Sequence, residues 1–265
     1  MLEKYYNKEI NTLILPTNFN SLLVGLPLGT KIIIFKENII KNIYSRFNQL
    51  VENLPSSITH LTFGYDFDQP VDNLHSLHLC DKVTNCICLP NNLTHVTFGY
   101  KFNQLVDNLP NSITHLTFGY NFNQKVENLP SSLTHLIFGT IFNQKVNYLP
   151  NSLTHLTCKY LFCQVIDNLP NTLTHLTVGD NFNQRIDNLP NTLTHLTLGL
   201  FFNQQIDNLP SELTDLTFGN TFNQKVDNLP LNLKVIHITK NKVNLLKKIP
   251  FGCKIVNEYN RVIFI

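Results

Sequence analysis

Tryptophan is absent from these 265 residues, methionine occurs once, and charged residues make up only 14%, against about a quarter in an ordinary globular chain. No run approaches the roughly 18 apolar residues of a membrane-spanning helix, so no membrane partner is expected. The opening Met1-Leu2-Glu3-Lys4-Tyr5-Tyr6 has no apolar core of a secretory signal. The six cysteines follow no framework spacing. Without an export signal they are expected to be free thiols in a reducing, cytoplasmic setting. The net charge of +2 and the 43% hydrophobic content exclude the charge excess and low apolarity of a disordered chain. No twelve-residue stretch combines helical periodicity with freedom from Pro and Gly, so long helices are not expected.

Catalytic signatures are missing too. There is no G-x-S-x-G, no phosphate-binding G-x-x-x-x-G-K-[ST], no G-x-G-x-x-G and no H-E-x-x-H. The sequence is read as non-enzymatic, with no cofactor and no small-molecule substrate.

What the chain has is repetition. Phe-Asn-Gln recurs at Phe102, Phe122, Phe142, Phe182, Phe202 and Phe222, a period of 20 residues. Phe162 keeps the beat with Cys163 in the Asn slot, and Phe47 and Phe67 are earlier members. Each unit also carries L-x-x-L-x-F, as in Ile113, Leu116 and Phe118. Alternation of Leu116 and Phe118 about Thr117 marks a half-buried strand. A strand that short is stable only when coils stack on one another. The expected fold is mainly β: a leucine-rich-repeat-like solenoid of about 13 coils of ~20 residues, with one parallel sheet of short strands and an irregular convex side.

One domain over 1–265 is expected. Residues 1–46 are degenerate N-terminal coils, 47–235 the regular repeats, and 236–265 a basic C-terminal cap. Two stretches break the beat. Eight extra residues fall within 36–46. The stretch 74–90 contains Leu74, Leu77 and Leu79 in the strand spacing and reads as an extra coil. Gly119, just after a strand, is expected to occupy a positive-φ turn. Pro110 precedes a strand, where its missing N–H breaks no ladder bond.

The irregular arcs of a solenoid hold backbone groups that need partners. Gln fills one slot in all nine Phe-frame units, including Gln104, Gln124 and Gln144. Asn precedes Leu in nearly every unit, as at Asn108, Asn128, Asn168, Asn188 and Asn208. Stacked amides can bond along the stack. These two columns are expected to be structural ladders, with at least one Asn column buried.

The unit Phe-Asn-Gln-x-[Val/Ile]-[Asp/Glu]-Asn-Leu-Pro-x-x-Leu-Thr-His-Leu-Thr-[Phe/Leu]-Gly resembles the FNIP repeat family, a branch of leucine-rich-repeat-like solenoids found in social amoebae and in large DNA viruses of amoebae. The resemblance covers 47–235 strongly and the ends weakly. It implies a protein-interaction module, in some members behind an F-box that docks to a ubiquitin ligase. Here nine residues precede the first coil, so no F-box is expected. A viral origin would place the chain in host cytoplasm. A structural or virion-packaged role and a substrate-recruiting role in a ubiquitin ligase are the alternatives.

Function in a solenoid lies on its exposed columns. On the strand face these are His60, His95, His115, His135, His155, His175 and His195, beside Thr97, Thr117, Thr157, Thr177 and Thr197. A protein partner is expected along this Thr/His face. Stacked imidazoles should depress one another's pKa. A uniform ladder offers no convergent ligand set, so no metal is expected there. An acidic column (Asp107, Glu127, Asp167, Asp187, Asp207, Asp227) is read as a solvated edge. His75, His78, Cys80, Cys86 and Cys88 are ligand types without a standard zinc spacing. Net charge is +3 over 1–46, −7 over 47–230 and +6 over 231–265. The basic end lacks interleaved aromatics, so nucleic acid is not an expected partner.

Overall fold

The strand triplet His-Leu-Thr sets the architecture. Its middle residue is buried and the outer two half-buried in nearly every copy, as a period of two requires. The computed structural model describes residues 2–51, 53–71 and 89–264. They form two compact units, Met1–Thr134 and His135–Ile265.

In the first unit the strands are β1 (Tyr6–Asn7), β2 (Thr12–Leu15), β3 (Ile32–Phe35), β4 (His60–Thr62), β5 (His95–Thr97) and β6 (His115–Thr117). β2 to β6 are parallel and follow chain order. β1 lies antiparallel on β2. The second unit holds β7 (His135–Ile137), β8 (His155–Thr157), β9 (His175–Thr177), β10 (His195–Thr197), β11 (Asp215–Thr217), β12 (Val235–His237), β13 (Lys254–Val256) and β14 (Val262–Phe264). β7 to β13 are parallel and sequential. β14 folds back antiparallel on β13. The fold is thus a β-solenoid, with helix limited to short 3-10 turns among the described residues.

Among the described residues, twelve strands in chain order, β2 to β13, make up a solenoid of about eleven turns, where about thirteen coils were expected. The coil read at 74–90 falls largely on residues outside the described ones. β4 pairs directly with β5, His60 opposite His95. The other irregular stretch leaves the ladder after β3. It makes a small excursion in which Asn38 and Ile43 exchange backbone hydrogen bonds around a 3-10 turn at Ile39–Lys41.

Two turns shape each coil. The proline carbonyl accepts the N–H three residues on, as in Pro110 to Ile113 at 3.1 Å and Pro170 to Leu173 at 3.0 Å. This turn feeds the strand and leaves no donor wanting. The second turn follows the strand, as where Gly179 accepts from Phe182 N–H. Gly119 is not at positive φ, contrary to expectation; glycines there are confined to Gly25, Gly29 and Gly252. What demands glycine is close approach. A Cβ built on Gly119 would collide with the Gly99 carbonyl of the preceding coil.

The core is an aromatic stack. In the first unit Phe47, Phe67, Phe102 and Phe122 are fully buried, their rings stacked 5.9–6.1 Å apart. A second column, Phe63, Phe98 and Phe118, packs its rings 3.7–3.8 Å from the first. In the second unit Phe142, Phe162, Phe182, Phe202 and Phe222 continue the motif at 6.1–6.2 Å. The companion column there keeps Phe138 and Phe218 and holds the smaller Cys158, Val178 and Leu198 between them.

Candidate strand-face site

The parallel register brings the histidines together within each unit. His60, His95 and His115 stack with centroids 4.1 Å apart. His135, His155, His175 and His195 do the same at 4.1 Å. All but His195 are half-buried. Beside them Thr97, Thr117, Thr157, Thr177 and Thr197 are half-buried and face outward.

A second threonine, one residue before each histidine, holds the imidazoles. Thr174 Oγ1 lies 2.9 Å from His175 Nδ1, and Thr94, Thr114, Thr154 and Thr194 hold their histidines at the same distance. Most of these hydroxyls also donate to the carbonyl of the equivalent threonine one coil back, as Thr174 does to Thr154 at 3.1 Å. A hydroxyl has one proton. Having spent it on the carbonyl, Oγ1 accepts from Nδ1–H, which leaves the lone pair of a neutral imidazole on Nε2. The ladder therefore fixes the ring plane and, where the hydroxyl proton goes to the carbonyl, favours the Nδ1–H tautomer of the neutral ring. In the last rung Asp215 replaces histidine, accepts from Thr214 at 2.6 Å and sits 3.4 Å from His195 Nε2.

His175 has its pKa pushed below the usual imidazole value, first by burial and then by the neighbouring His195, with Asp215 opposing. Among the described residues, no three His, Cys, Asp or Glu side chains converge on a metal position. Parallel rings keep their lone pairs parallel rather than focused. The candidate ligands His75, His78, Cys80, Cys86 and Cys88 lie outside the described residues. No described helix is long and apolar enough to cross a membrane.

The amide columns divide differently from the expectation. Asn108, Asn128, Asn168, Asn188 and Asn208 are exposed, not buried. They sit on the outward side of the arc, where Leu109 and its equivalents take the inward position. Asn188 still reaches Asp167 of the preceding coil at 3.4 Å, and a shorter, more regular ladder runs through the Asn of Phe-Asn-Gln. Asn103 Oδ1 accepts the backbone N–H of Asn123 at 2.9 Å, Asn143 that of Cys163 at 3.0 Å, and Asn183 that of Asn203 at 2.9 Å. The glutamines join it. Gln104 donates to Asp68 and Gln124 to the Asn103 carbonyl, both at 2.9 Å. Gln144 occupies the same slot, half-buried. The acidic column is largely solvated, with Arg185 on Asp187 at 2.7 Å.

Sequence reading missed a tyrosine column in the first unit. Tyr44, Tyr65, Tyr100 and Tyr120 stack at 4.4, 4.4 and 4.6 Å. They line a groove of about 850 Å³ beside Thr62 and Thr97, with Gly99 and Gly119 also contributing. A recurring Tyr after Gly at Tyr65, Tyr100 and Tyr120 was the available signal. Tyr44 belongs to the non-repeating excursion and carried none.

The FNIP Repeat family profile matches residues 47–77, 87–121, 102–140, 122–159 and 165–201. Among solved structures, CroV588 from a giant virus, described as a novel circular LRR protein structure, is 39% identical with a TM-score of 0.69. The alignment covers 93% of this chain and 43% of that one. YopM from Yersinia enterocolitica is 19% identical over 80% of this chain and 49% of its own, with a TM-score of 0.47. The chain thus spans less than half the length of either. Comparison with curated proteins finds no significant match. Leucine-rich-repeat-like scaffolds of this kind are typically non-catalytic protein-interaction modules. By repeat unit, register and profile, this chain belongs to the FNIP repeat family.

Proposed function

We propose that this chain binds another protein along its Thr/His strand face and performs no catalysis of its own. The observation that carries the reading is the pinned imidazole ladder. A row of rings at 4.1 Å, with His155, His175 and His195 each held by a threonine, is a pre-organised polar surface. Pre-organisation lowers the ordering cost of association. Neutral Nε2 acceptors and threonine hydroxyls suit the donors of a partner's polar side chains. The repeated environment gives no residue the distinct acid, base or nucleophile surroundings that catalysis needs.

The test is a quantitative pull-down from cell lysate with the parent chain and a variant carrying His155→Ser and His175→Ser. Circular dichroism would establish that the variant is folded. A protein retained by the parent and lost by the folded variant supports the reading, and direct titration with that purified protein completes it. Identical retention by both overturns it.

A further inference from the structure

The groove along the tyrosine column is lined by residues of the non-repeating 36–46 excursion as well as by repeat residues. It lies beside the strand face, and its long direction follows the stack, across the strands. The rings are stacked nearly parallel, Tyr65 on Tyr100 at 11° and Tyr100 on Tyr120 at 11°. Their faces are therefore turned to one another and their edges outward. No unpaired strand edge opens onto the groove, so an added β-strand has no ladder to join.

The dimensions favour a different ligand. A polyproline II segment repeats every three residues, about 9.3 Å. Two parallel strand spacings of ~4.8 Å come to nearly the same length. Successive turns of such a segment would meet every second coil in the same phase. Its carbonyls are unbonded within the helix and need donors. The groove is lined by the hydroxyl-bearing Thr62, Thr97 and four tyrosines. Aromatic-lined grooves are a general receptor for proline-rich segments, because the ligand is already ordered.

Charge gives the direction. Lys101 is engaged with Asp66 at 2.8 Å and lies 5.8 Å over the Tyr65 ring. At the end of the groove formed by the 36–46 excursion stand Lys36 and Glu37. Glu37 makes no ion pair among the described residues. Partial burial raises its pKa, the Tyr65 backbone N–H opposes this and Asp66 adds to it. A ligand cation would relieve this.

We infer that the tyrosine groove, lined by Tyr44, Tyr65, Tyr100 and Tyr120, binds a proline-rich segment in the polyproline II conformation with a flanking arginine directed at Glu37. The inference rests on the reading that this region of the scaffold binds protein, and adds the class of segment bound.

The assay is fluorescence anisotropy with a labelled oligoproline peptide ending in one arginine. Comparison peptides are a Gly/Ser peptide of equal length and charge, and the oligoproline with its arginine replaced by glutamate. Saturable binding of the arginine peptide, weakened about three- to tenfold in a Tyr100→Phe, Tyr120→Phe double variant, is the expected result. Those variants keep the ring stack and remove only hydroxyls, so a folding defect does not confuse them. Glu37→Gln should cost the arginine peptide a similar factor and improve the glutamate peptide, whose repulsion from Glu37 it removes. Equal binding of the Gly/Ser peptide, no binding of oligoproline, or affinity indifferent to the tyrosine hydroxyls overturns the inference. The strand-face reading is judged separately, because its histidine variants are assayed against a whole-protein partner and leave this groove intact.

Discussion

Asn143→Ala tests whether the side-chain amide ladder holds the arcs together. Asn143 Oδ1 accepts the Cys163 backbone N–H at 3.0 Å and Gln164 Nε2–H at 3.1 Å. Truncation leaves the main-chain donor half-shielded from water, at about 1–2 kcal/mol, while the glutamine can turn to solvent at little cost. Local protection should therefore fall by about 2 kcal/mol at most, roughly a 30-fold faster exchange of the Cys163 amide. Asn143→Asp is the control. Asp68 occupies the same slot in the first unit and accepts Asn103 N–H and Gln104 Nε2–H, both at 2.9 Å. A carboxylate acceptor thus serves the site, and Asp should stay within about 0.5 kcal/mol of the parent. Hydrogen exchange read by mass spectrometry on a peptide spanning Cys163 reports both variants. Equal losses for Ala and Asp, or undisturbed protection in Ala, would refute a ladder working through the Oδ1 acceptor.

Three further outcomes follow from packing and charge. Phe182 is fully buried between Phe162 and Phe202, so Phe182→Ala should cost about 3–5 kcal/mol and Phe182→Leu clearly less, read from thermal melts. Gly119→Ala drives a methyl into the Gly99 carbonyl, whereas Gly25→Ala at φ +63 meets nothing within 4 Å; the second should cost about 1–2 kcal/mol and the first more, and denaturation curves would expose the reverse order. Because His175 is lowered by burial and by His195, its contribution to stability is complete above the unfolded value of about 6.5. That contribution is lost as pH falls through that value and on through the folded one. The melting temperature should drop on mild acidification, less steeply in His175→Gln, and a flat profile for the parent contradicts the sign.

The strands were legible because period-two alternation leaves little choice: Leu116 inward forces His115 and Thr117 outward. The amide ladder was not. Asn103 and Asn108 are equally regular in the sequence, and the bend of the arc decides which of the two meets the next coil. The composition of the motif carries no record of that bend. Gly119 was legible as an obligatory glycine but for the wrong reason, since tight stacking and positive φ both exclude a side chain. Leu74, Leu77 and Leu79 repeat the strand spacing and lie outside the described residues. The tyrosine groove needs Tyr44, whose place in the column is set by the 36–46 excursion and not by the repeat.

His60 and His95 are 35 residues apart yet meet in the same register as histidines 20 apart. The sheet counts windings, not residues. An arc can therefore be lengthened by fifteen residues without retuning the ladder on either side, which makes the arcs natural ports for grafting. A foreign segment inserted between Val71 and Leu89 would inherit a fixed attachment on both flanks, while the imidazole and phenylalanine columns keep their spacing.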